Sequence, residues 1–165
     1  MNQNLVIVYD VTPNLVPSDD IPDLVRKIEN IGGVSVGELK ITDLVLPAES
    51  CTGIYFFLDE NEQVVYVGKI SSRSFLDRIA GHLDLRKSAF MNTILQRANS
   101  NAEAKDYGDV FYNKVVNYKL KICAVKGNAD LIVKRIVCEL ERCFIRHYAG
   151  NGHLLNNVPK SFMSM

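Results

Sequence analysis

The stretch "GIYFFLDENEQVVYVGK", Gly53 to Lys69, holds two short apolar runs with Asp59, Glu60, Asn61 and Glu62 between them. Short β-branched and aromatic runs about a polar turn predict an antiparallel pair, Gly53 to Leu58 with Gln63 to Val67. Each run also keeps a glycine and a tyrosine at similar places. A plain hairpin needs neither, so these residues require a further reason.

Working outward from the pair, Arg73 to Leu85 and Ala89 to Ala98 read as helices, and Ser100 to Gly108 as a polar loop. Val115 to Val125 alternates as a strand does, and Asn128 caps a helix from Ala129 to about Tyr148 that closes at Gly150. Upstream, Leu5 to Tyr9 is a β-type run. Ser18, Asp19 and Asp20 precede a helical stripe of Ile21, Leu24, Val25, Ile28 and Ile31, which Gly32-Gly33 stops. Glu38 to Leu46 fits neither template, and a boundary falls at Pro47 to Ser50. The expected organisation is an extension over residues 1–50 and a core over 51–165. Its order, β-β-α-α-β-α, predicts an α+β fold with a small, mainly antiparallel sheet flanked by helices.

Composition bounds the class. A chain of 165 residues with 47% apolar content can bury a full core without staples. No run approaches the ~18 apolar residues of a membrane span, and Leu5 to Val8 is too short for a signal segment. Cys51, Cys123, Cys138 and Cys143 form no C-x-x-C pair, which fits reduced thiols in a cytoplasmic protein. Cys138 and Cys143, five apart and without a histidine pair, make a poor zinc site. The net charge of zero conceals a split: residues 1–50 carry three bases and eight acids, and residues 51–165 carry sixteen bases and eleven acids. The positive part suits a polyanion, and the acidic segment suits a recognition or oligomerisation role better than phosphate binding.

Gly53-Ile54-Tyr55 and Tyr66-Val67-Gly68, with ten residues between the tyrosines, resemble the signature of the GIY-YIG nuclease family. Lys69 after the second glycine, Arg78 on the next helix, Glu141 on a later helix and Asn156 beyond it complete the family's ordered set. The resemblance covers about residues 51 to 158. It implies hydrolysis of DNA phosphodiesters, double-stranded DNA as partner, one divalent cation (Mg2+ or Mn2+) held by Glu141, and either a single copy or a homodimer. In that mechanism Tyr55 activates water with its pKa lowered by Lys69, Tyr66 positions the water or binds phosphate, and Arg78 stabilises the developing charge. Asn156 orients the site.

Local chemistry weighs each position against its rivals. Arg73 competes with Arg78, but Arg78 has Phe75 one turn before it and His82 four residues after, so His82 joins the candidate site. Glu139 lies within a turn of Arg135 and Arg142, as on a solvated ion-pair face. Glu141 sits among Val137, Cys138, Phe144 and Ile145, where a carboxylate needs a metal or a cation from another element. Asn157 is the neighbour and rival of Asn156. A non-catalytic nucleic-acid-binding protein on the same scaffold is the alternative function, although no position of the set is missing.

Overall fold

The computed structural model describes residues 2–11, 17–47, 51–86, 88–89, 93–99, 107–127, 130–150 and 154–156. Its elements are β1 (Val6–Asp10), α1 (Pro17–Asn30), β2 (Val34–Ser35), α2 (Ile41–Leu44), β3 (Gly53–Leu58), β4 (Val64–Ile70), α3 (Phe75–His82), α4 (Thr93–Ala98), α5 (Tyr107–Asn113), β5 (Lys119–Lys126) and α6 (Asp130–Ala149). The fold is α+β, a single five-stranded sheet between helices. Strand order is β1-β5-β3-β4, with β2 also paired to β5. All pairs are antiparallel except β1 with β5, which run parallel from Val6 opposite Ile122 to Asp10 opposite Lys126. Residues before the expected boundary therefore contribute two strands to the same sheet.

Every residue of β3 is buried, because helices cover both faces of the strand. On one face Tyr55, Phe57, Tyr66 and Ile122 pack with Phe75 and Ile79 of α3 and Ile94 and Leu95 of α4. On the other, Ile54, Phe56, Val67 and Cys123 pack with Leu24 and Ile28 of α1 and Val137, Leu140 and Phe144 of α6. Phe56 meets Phe144 edge to face, ring centroids 4.9 Å apart, a geometry worth ~1 kcal/mol beyond the area it buries. The acidic turn is held by Asp59, whose Oδ1 accepts from the amides of Asn61 and Gln63, each at 3.0 Å. Phe57 pairs with Tyr66 but Leu58 with Val64, so Val65 is the extra residue of a bulge.

Expected boundaries move: β4 runs on to Ile70, α3 ends at His82 rather than Leu85, α4 is helical from Thr93 rather than Ala89, and three further shifts have local reasons. Ser74 Oγ accepts from the Asp77 amide at 3.0 Å and starts α3 at Phe75, leaving exposed Arg73 outside the helix. The loop expected to reach Gly108 has become helix by Tyr107, the start of α5, which anchors through buried Val110. Val115–Asn117 forms a 3-10 turn, so β5 begins only at Lys119. The cap expected at Asn128 lies outside the described residues, as does most of the expected boundary, residues 48–50. All four cysteines are free thiols. Among the described residues no helix is long and apolar enough to cross a membrane.

Candidate active site

Gly68 explains one half of the opening pattern. It lies opposite Tyr55 across β3 and β4, and a Cβ there would fall 2.1 Å from Tyr55 Cζ. Only a glycine lets the phenol ring cross the neighbouring strand. Gly53 answers the other half, since a Cβ on it would fall 2.2 Å from the Cys123 carbonyl oxygen of β5. The glycines permit close approach, and the ring they admit is fully buried.

The Ser74 cap sets the phase of α3 so that Phe75 and Ile79 enter the core while Arg78 and His82 turn toward Tyr55. Arg78 Nε donates to Tyr55 Oη at 3.1 Å, and the same oxygen lies 2.6 Å from His82 Nε2. Tyr66 completes the group, with its ring 6.1 Å from that of Tyr55 and 5.2 Å from His82. His82 is fully buried, and its Nδ1 has no partner among the described residues. Burial, joined by the guanidiniums of Arg78 and Arg97, pushes the imidazole down to about 3. Burial raises the Tyr55 hydroxyl above its ordinary value although Arg78 pulls the other way. At neutral pH the pair is a phenol and an uncharged imidazole.

Lys69 does not lower Tyr55 as expected from the sequence. Gly68 and Ile70 look toward Tyr55, so Lys69 between them projects from the opposite face, toward α6. There its ammonium donates to Glu141 Oε2 at 2.7 Å. Burial disfavours the Lys69 charge, but the bond to Glu141 outweighs it and holds the ammonium above the usual lysine value. Of the two compensations open to Glu141, the structure contains the cation from another element. Glu139, its rival, is exposed.

Asn156 sits at the outer edge of β4. Its Oδ1 accepts from the Val67 amide at 2.8 Å and its Nδ2 donates to the Val67 carbonyl at 2.7 Å, while the Leu155 amide donates to the Val65 carbonyl. Asn156 thus completes hydrogen bonds that an edge strand leaves open; Asn157 lies outside the described residues. Arg97 of α4, which sequence reasoning passed over, donates to the Leu155 carbonyl at 2.8 Å and lies over the Tyr66 ring, 5.6 Å from its centroid. Its only signal in the sequence is its place after the apolar pair Ile94 and Leu95, which any surface arginine could share.

The candidates therefore fall into two groups divided by the sheet, Tyr55, Tyr66, Arg78 and His82 on one face and Lys69 with Glu141 on the other, with β4 and Asn156 at the edge between them. Among the described residues no three His, Cys, Asp or Glu side chains cluster as a metal cage. A single carboxylate would leave a hard cation most of its own water, but Glu141 Oε2 is taken by the Lys69 ammonium at 2.7 Å, so a cation held by Glu141 would have to displace Lys69. Compared with known proteins, the chain matches no family model, no curated protein and no solved structure.

Proposed function

We propose that the chain is a metal-dependent endonuclease of the GIY-YIG kind, hydrolysing phosphodiester bonds of double-stranded DNA as a small restriction-type or mobile-element enzyme of the cytoplasm. The observation that carries this reading is the hydrogen-bonded run from Arg78 through Tyr55 to His82, built over a glycine that exists to admit the phenol. Arg78 supplies fixed positive charge to the phosphorane. Tyr55 takes a proton from the attacking water as its own proton passes to His82 Nε2; the new P–O bond forms and the 3′ oxygen leaves. In the resting chain that transfer is strongly uphill, because His82 is held near 3 and a free phenol already sits near ~10. A bound phosphate offsets the two guanidiniums that help to depress His82, and so raises its basicity when substrate is present. Tyr55 is fully buried, so the bound strand must also draw α3 outward before water can reach it. Glu141 lies across the sheet from this group, so a divalent cation held there would add its charge to the phosphate only where the bound strand passes over the β4 edge at Asn156 and Lys69 has given up the carboxylate. A homodimer would form at β1, which ends the sheet.

The test is plasmid nicking with Mg2+ or Mn2+, with Tyr55→Phe as control. Wild type should nick, and Tyr55→Phe should fall at least ~10²-fold, the usual size of a general-base effect. The Lys69–Glu141 pair and the burial of Tyr55 favour a second reading, DNA binding without catalysis. Salt-sensitive binding with no nicking under either metal would establish that second reading and sink the first.

A further inference from the structure

We infer that Arg97 is a substrate-contacting residue, the second of two guanidiniums that hold one backbone phosphate above the Tyr66 ring. The inference rests on the nucleic-acid reading above. Ile94 and Leu95 are fully buried and fix α4, so the half-buried Arg97 has its place set by packing rather than by an ion pair. Its guanidinium lies 5.6 Å from the Tyr66 centroid. Arg78 approaches the same aromatic group from α3 through Tyr55, whose ring stacks with Tyr66 at an interplanar angle of 28°. Two cations thus flank one aromatic floor.

What separates Arg97 is a half-buried place over an aromatic ring with, among the described residues, no carboxylate beside it. Arg26 is paired with Asp23 and Arg86 with Asp84; among the described residues no carboxylate pairs with Arg97. One of its five N–H groups serves the Leu155 carbonyl, and the planar fork retains donors suited to two phosphate oxygens. The neutral hydrogen bond to Leu155 does not compensate the charge. A phosphodiester anion would, and stacking on Tyr66 holds the fork while it does so.

Affinity for a short labelled duplex, measured against salt in Ca2+ to block cleavage, tests this. Wild type should lose affinity along a log–log line, and Arg97→Gln should reduce the steepness by about 0.9, the loss of one neutralised phosphate. Arg97→Lys, which keeps the charge, should retain the wild-type slope and lose affinity only uniformly. An unchanged slope in a folded Arg97→Gln chain would assign Arg97 to fastening Leu155 alone and overturn the inference. If Arg97→Gln does not fold, the wild-type chain still decides: its Arg97 side-chain N–H resonance should shift on adding duplex, and a resonance that stays in place overturns the inference. A wild type whose affinity ignores salt refutes the nucleic-acid reading itself, and the inference with it.

Discussion

Tyr55 and His82 show how much a single residue's setting departs from its sequence neighbourhood. The spacing of Arg78 and His82 on one helix face was legible, because i and i+4 positions align whatever the helix packs against. The buried, uncharged state of His82 was not, since it depends on which sheet face α3 covers. That state has a measurable consequence. Folding lowers the His82 pKa from 6.5 to about 3, so between these values the unfolded chain binds a proton that the native chain does not. Stability is therefore fully present above 6.5 and is lost as pH falls, with a slope approaching ~1.4 kcal/mol per pH unit. Asp84 is held near 2 by Arg86 and contributes its own acid dependence only toward lower pH, so the window from about 6.5 to about 4.5 isolates the histidine, given an ordinary carboxylate range near ~4. Denaturant midpoints across that window should fall for wild type and stay nearly level for His82→Gln. Parallel slopes in the two chains would mean that His82 is protonated in the native state.

At the scale of elements, β4 is the informative strand. Tyr66 and Lys69 are an odd number of residues apart, so strand alternation alone puts them on opposite faces, a parity that the sequence reading did not apply. The face taken by α6 could not be read from the chain, because its apolar stripe fits either side of a sheet. The outcome joins Glu141 to Lys69, with side chains 20% and 35% exposed. Removing one partner should destabilise by only ~1 kcal/mol after solvent screening, and a Lys69→Met, Glu141→Gln double variant should lose less than the sum of the singles. Activity should separate from stability. Glu141→Gln should abolish nicking while the chain still melts cooperatively, and Glu139→Gln, altering an exposed residue, should leave both unchanged. Equal loss of nicking in both variants would detach Glu141 from the chemistry and leave it a structural partner of Lys69.

Across the whole molecule, the strand order was the part least visible in the sequence. Local patterns give the β3–β4 pair, but β1 meets β5 over more than a hundred intervening residues, and parallel register has no short turn to announce it. The boundary near Pro47 marks a change of composition rather than a gap in the core: Leu5, Tyr9, Ile21, Leu24 and Ile28 are all buried against the rest of the chain. Lys121 of β5 binds the first part to the second by another route. It is 2% exposed, and its ammonium donates to the carbonyls of Ile28 and Glu29 at 3.0 and 3.3 Å, closing the C-terminal end of α1. A fragment of residues 51–165 would strip β5 of its parallel neighbour, uncover the α6 face that α1 packs on, and leave the Lys121 charge without its carbonyls. Each large apolar residue uncovered forfeits ~1.5–3 kcal/mol, and a domain holds only ~5–15 kcal/mol in total. The fragment is therefore expected to lack a cooperative thermal transition and to aggregate, whereas the full chain melts in one step. Circular dichroism melts of both, run at equal concentration, decide the matter. A fragment that unfolds cooperatively within a few degrees of the full chain would show that residues 1–50 are an appendage and that the sheet is complete without β1.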